Sequence, residues 1–90
     1  MKITVRIPSV LRSCCGGTTE FSLNATNVNT ALERIEQDYP SLYTSICNET
    51  GSVRQHINLF VNSGLVCGED FKRPFQSEDI LYIFQAVSGG

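Results

Sequence analysis

The hydrophobic period of this chain changes twice, and the order of those changes restricts its fold more than any other feature. Ile3, Val5 and Ile7 alternate with Lys2, Thr4 and Arg6 over residues 2–8, the period of a strand with one buried face. Residues 9–18 contain Gly16-Gly17 and interrupt the run, after which Thr19, Phe21 and Leu23 repeat it; the pair reads as a hairpin with a wide loop. The period then lengthens. Val28, Ala31, Leu32, Ile35 and Tyr39 fall on one helical stripe, leaving Glu33, Arg34, Glu36, Gln37 and Asp38 to water. Asn27 or Thr26 caps the start, and Pro40 ends the helix by disfavouring helical geometry at Tyr39. Residues 41–55 are looser, with Leu42 and Ile46 as anchors and 48–52 as a surface loop. Alternation returns at Ile57, Leu59 and Val61, followed by an Asn62-Ser63-Gly64 turn and a short apolar segment, Leu65-Val66-Cys67. Residues 71–75 are irregular around Pro74, and residues 80–86 form the last strand.

Strand, strand, helix, strand, short strand, strand is the order of an α+β domain. It predicts a mixed four- to five-stranded sheet with one main helix on one face and the first and last strands side by side at its centre. This is the β-grasp arrangement, with residues 1–84 as the domain and 85–90 as a flexible tail. One helix covers one face only, yet the other face carries Phe60, Ile80, Tyr82 and Phe84, where a wet sheet surface would alternate to polar residues. Either the loop around Cys14 or the 65–75 segment folds over these side chains, or they dock a protein partner; docking is the preferred reading.

Composition removes several function classes. With 90 residues the chain makes one domain burying about 60–65% of its unfolded surface, which leaves little room for a deep cleft. A net charge of −2, a pI near 5.2 and scattered basic residues give no footprint for nucleic acid. No apolar run approaches membrane length, and Met1-Lys2 leads straight into a strand pattern, so a cytoplasmic protein is expected. Adjacent Cys14-Cys15 cannot easily aim both thiolates at one tetrahedral ion, so Cys14, Cys15, Cys47 and Cys67 are read as free thiols and no metal is expected. His56, the only histidine, has no partner nucleophile at readable spacing, and an enzyme acting alone is the weakest reading.

The chain stops at Val87-Ser88-Gly89-Gly90. A terminal diglycine has no side chains, so its backbone can thread a channel closed to other residues and present only a carboxylate. Together with the fold pattern, this tail resembles that of the ubiquitin-like sulfur carrier proteins, the family of MoaD, ThiS and CysO. The likeness spans nearly the whole chain. Ile7-Pro8-Ser9-Val10-Leu11-Arg12 with Gly16-Gly17 is similar to the Ile-Pro-x-x-Leu-Arg…Gly-Gly opening of the CysO-like branch, and Asn58-Leu59-Phe60-Val61-Asn62 resembles its Val-Asn-x-x-Val-Asn segment. Asp38-Tyr39-Pro40 matches a common helix end, and Gln85-Ala86-Val87-Ser88-Gly89-Gly90 a common ending. One departure stands out: relatives carry Asp-Gly-Asp-Glu-Val where this chain has Ser77-Glu78-Asp79-Ile80-Leu81. If that turn needs a positive φ, Glu78 costs about 1 kcal/mol or more.

The resemblance implies that a ubiquitin-activating-type adenylating enzyme, MoeB/ThiF-like, uses ATP to activate the Gly90 carboxylate. Sulfur from a donor enzyme then gives a thiocarboxylate, which a downstream acceptor synthase consumes. No cofactor is expected on the chain itself. Gly90 would carry the sulfur, Gly89 would give steric clearance, Val87 and Ser88 would guide the tail, and Phe60, Ile80, Tyr82 and Phe84 would dock the partner. The acceptor stays open among molybdopterin, thiazole, cysteine, homocysteine and specialised thio-metabolites, with a slight tilt to the CysO-like kind. A ubiquitin-like modifier conjugated through Gly90, or a β-grasp interaction module with an incidental tail, are the alternatives.

Overall fold

In a computed structural model, which describes residues 1–86, the first alternating run forms β1 (Lys2–Arg6) and the second β2 (Glu20–Asn24). Val87, Ser88, Gly89 and Gly90 lie outside the described residues. β1 and β2 pair antiparallel, Ile3 opposite Leu23 and Val5 opposite Phe21. Their connection is more ordered than a wide loop. Residues Ser9–Cys15 wind into a 3-10 helix pinned by buried Leu11, and the chain escapes it through Gly16 at φ 67° and Gly17 at φ 84°, the left-handed region open to glycine. Gly17 N–H closes the end on Arg12 O at 2.8 Å.

Helix α1 (Val28–Asp38) buries the predicted stripe of Val28, Ala31, Leu32 and Ile35. Of the two candidate caps the structure uses Asn27: its Oδ1 accepts from Thr30 N–H at 2.9 Å, and Thr30 Oγ1 accepts from Asn27 N–H at 3.0 Å, a reciprocal cap that satisfies two otherwise orphaned donors. Tyr39 leaves the helix and stacks on Phe21 with ring centroids 4.1 Å apart. Pro40 does end α1, but it also opens a second helix, α2 (Pro40–Ile46), at whose first turn its missing N–H costs nothing. The expected loose stretch is therefore helical at its start. Leu42 and Ile46 are both 0% exposed, and that burial overrides the weak helix propensity of Thr44 and Ser45.

The remaining strands are β3 (Ile57–Val61), β4 (Gly64–Leu65) and β5 (Ile80–Gln85). They complete a five-stranded sheet in the order β2-β1-β5-β3-β4. β1 and β5 run parallel, Val5 beside Leu81, and the other pairings are antiparallel. This is the β-grasp fold the sequence predicts, with first and last strands adjacent. Ile3, Val5, Ile57, Leu59, Leu81 and Ile83 pack beneath the helices in one core; each large aliphatic buried there contributes about 1.5–3 kcal/mol before ordering costs.

Between β4 and β5 a 3-10 helix, Gly68–Lys72, precedes Phe75, which plugs the core at 6% exposure. The turn into β5 holds Glu78 at φ 69°, in the left-handed region that favours glycine. A residue with a Cβ is strained there. Glu78→Gly is expected to raise the unfolding free energy by about 1 kcal/mol, seen as a higher urea midpoint at unchanged slope. Asn27→Ala is expected to lower it by about 1 kcal/mol through loss of the cap.

Candidate docking face and tail root

Alternation along β5 splits its side chains between two environments. Leu81 and Ile83 enter the core at 0% and 2% exposure, so Ile80, Tyr82 and Phe84 emerge on the opposite face. Phe60 of β3 sits directly across from Tyr82. Its ring meets Phe84 edge-on, 5.3 Å between centroids at 88°, and Tyr82 lies nearly parallel to Phe84 at 6.0 Å, separations at which aromatic rings attract. Phe84 remains 50% exposed while Phe60, Ile80 and Tyr82 are half-buried. The four residues singled out from sequence thus form one contiguous patch.

Both segments that could have covered this patch go to the helical side instead. The 3-10 helix after β1 leans on α2, with Cys14 Sγ 3.5 Å from Ser45 Oγ. The segment after β4 reaches the start of α1, where Phe75 N–H donates to Thr26 O at 2.8 Å and Asn27 Nδ2 to Lys72 O at 3.5 Å. Leu65, placed from sequence in a covering segment, belongs to the patch. It lies opposite Phe60 in β4 and is 51% exposed. The signal that could have found it is the Asn62-Ser63 turn, which fixes the hairpin register and with it the residue facing Phe60.

Polar neighbours bound the patch. Thr4 and Arg6 lie beside Ile80 and Tyr82 in the parallel register, Arg6 pairs with Glu20 at 3.4 Å, and Asn58 faces Phe84. A hydrogen-bonded knot holds the patch at one end. Asn62, at φ 56°, accepts from Ile80 N–H at 3.1 Å, donates through Nδ2 to Asp79 Oδ1 at 3.0 Å and donates its N–H to Ile80 O at 2.8 Å. Asp79 Oδ2 takes Gln76 N–H at 2.8 Å. The knot fixes the β3–β4 turn to the start of β5, and so Leu65 to Ile80.

The other end of β5 is the root of the tail. Gln85 pairs with Ile57, and Ala86 N–H donates to His56 O at 2.7 Å. The first two residues expected in the tail are therefore tied to the sheet. Val87, Ser88, Gly89 and Gly90, the sulfur-carrying and tail residues of the sequence reading, fall outside the described residues.

The thiols are scattered relative to this face. Burial pushes the Cys47 thiol above its ordinary pKa, against a lowering pull from Arg54, and burial followed by the nearby Cys14 does the same to Cys15. Among the described residues no group of three or more His, Cys, Asp or Glu side chains gathers as metal ligands do, and the single histidine, His56, is exposed. The arrangement can bind a protein surface.

A raised thiol pKa means the folded state keeps its proton longer than the unfolded one. The associated stability is complete below the unfolded thiol pKa, about 8.5, and is lost as pH rises through the higher folded value. Unfolding free energy is accordingly expected to fall on the alkaline side of about pH 8.5, and less steeply in Cys47→Ala, as read from urea unfolding at a series of pH values.

No known protein family and no curated protein matches the sequence. Solved structures do match in fold. A chain of the Amycolatopsis orientalis BexX/CysO complex superposes with TM-score 0.84 at 26% identity, covering 98% of this chain and 99% of that one. CysO of Mycobacterium tuberculosis, described as an antigen, gives 0.82 at 23% identity over 94% of this chain and 99% of its own. The small archaeal modifier protein 1 of Methanosarcina acetivorans gives 0.84 at 24% identity over 99% and 96%.

Proposed function

We propose that this chain is a ubiquitin-like sulfur carrier whose Gly90 carboxylate is adenylated and then converted to a thiocarboxylate that donates sulfur in the biosynthesis of a sulfur-containing metabolite. The observation that carries this reading is the open aromatic patch on β5, the same strand that runs on to Val87-Ser88-Gly89-Gly90. The docking face then lies on the strand that leads in sequence to the reactive group. Ala86 is tied to the sheet, and the four residues after it in the sequence span about 13–14 Å when extended into a neighbouring active site, less than the span available if the tail began at Gln85.

The chemistry runs in two balanced steps. The Gly90 carboxylate attacks the α-phosphorus of ATP and releases pyrophosphate, giving an acyl-adenylate; a sulfur nucleophile adds to that carbonyl and AMP leaves. The chain supplies the carboxylate and the docking face, and the partner supplies ATP and the catalytic groups. Phe60, Leu65, Ile80, Tyr82 and Phe84 receive the MoeB/ThiF-like adenylating enzyme, and a sulfur donor enzyme and an acceptor synthase follow. The likeness to CysO, found in a complex with BexX, supports protein partners and favours a CysO-like pathway over a MoaD- or ThiS-like one.

With ATP, sulfide and an adenylating enzyme of this class, the intact mass is expected to rise by the difference between one sulfur and one oxygen atom, and deletion of Gly90 to abolish the shift. Phe84→Ser is expected to raise the carrier's KM for that enzyme about tenfold, the effect of losing one anchoring aromatic, without altering the mass shift at saturation. No shift with an enzyme active on its own carrier overturns the reading. The likeness to a small archaeal modifier protein favours one second reading, conjugation of Gly90 to protein lysines; isopeptide adducts without any thiocarboxylate form would establish it instead.

A further inference from the structure

The two edges of this sheet are managed differently. β4 is two residues long, and brevity is one way an edge avoids pairing with another chain. β2 is a five-residue strand, Glu-Phe-Ser-Leu-Asn, free of proline and lysine and in unbroken register with β1. Its outward groups follow from the ladder. Ile7 N–H donates to Thr19 O at 2.9 Å and Ala25 N–H to Met1 O at 3.0 Å, so odd-numbered residues of this strand turn their N–H and C=O groups to β1. The N–H and C=O groups of Glu20, Ser22 and Asn24 then point outward.

The geometry points to a second copy of this chain as the occupant of that edge, two β2 strands pairing antiparallel about a two-fold axis at Ser22. That register uses all three outward residues in both copies, making roughly six backbone hydrogen bonds. Shifting the axis to Phe21 or Leu23 uses fewer strand residues, and shifting it to Glu20 sets two carboxylates face to face. With the axis at Ser22, Glu20 meets Asn24 of the second copy, an acceptor opposite an amide donor, and Ser22 meets its own symmetry mate. On the helical side Phe21, still half-buried against Tyr39, falls opposite Leu23 of the second copy, whose side chain is already buried in its own core at 8% exposure, so the backbone ladder and the polar pairs carry the contact. The axis stands perpendicular to the sheet, so both aromatic patches face the same way and both remain open. The contact is narrow, which makes a weak dimer, with Kd on the order of 0.1–1 mM.

Sedimentation of the purified chain from about 10 μM to about 1 mM reads this directly. The mass is expected to climb towards twice the monomer. Ser22→Pro is expected to weaken association at least about tenfold while keeping the fold, because the N–H it removes faces outward and takes no part in the β1 ladder. Asn24→Glu, which opposes Glu20, is expected to weaken association, and Asn24→Lys to strengthen it, the gap between them shrinking with salt. This charge pair keeps the test decisive should Ser22→Pro misfold. A monomer throughout the range, a dimer indifferent to all three substitutions, or a dimer abolished by Phe84→Ser instead overturns the proposal.

Discussion

The parallel pairing of β1 with β5 is the contact on which the rest of the molecule depends. Val5 and Leu81 lie side by side in it, both 0% exposed, and through it the two ends of the chain meet in the middle of the sheet. Parallel strands cannot be joined by a tight turn, so the intervening chain must cross over the sheet. Here α1 and α2 make that crossing and put their apolar stripe on one face. Because both helices and both 3-10 segments go to that face, the other is left to strand alternation alone.

That asymmetry gives β5 two jobs. One row of its side chains, Leu81 and Ile83, is held by the core, and the alternate row, Ile80, Tyr82 and Phe84, stands on an open sheet. Within the patch Tyr82 stands between buried Leu81 and Ile83 on its own strand. The Asn62–Asp79 knot fixes its near end and the Ala86–His56 bond its far end.

Much of this was legible in local pattern. The helix stripe, the Pro40 stop and the outward row of β5 are each set by side chains a few residues apart, and spacing alone places them; it narrowed the cap to Asn27 or Thr26, and the structure chose Asn27. Glu78 was singled out by the family resemblance, whose turn has glycine there, and the backbone does hold it at φ 69°. The features missed are those in which distant residues decide. Leu42 and Ile46 make a helix of residues 40–46 only because the core closes over them, and Leu65 joins the docking face because a turn sets its register against Phe60.

The sequence by itself determined the order of the strands and the main helix and the face each would bury, because hydrophobic period and capping side chains are local properties. Only the tertiary structure decided which segments stay off the open face and that the sheet holds the chain as far as Ala86. Both depend on hydrogen bonds between residues far apart in sequence, Phe75 to Thr26 and Ala86 to His56, and no local pattern encodes the meeting of such pairs.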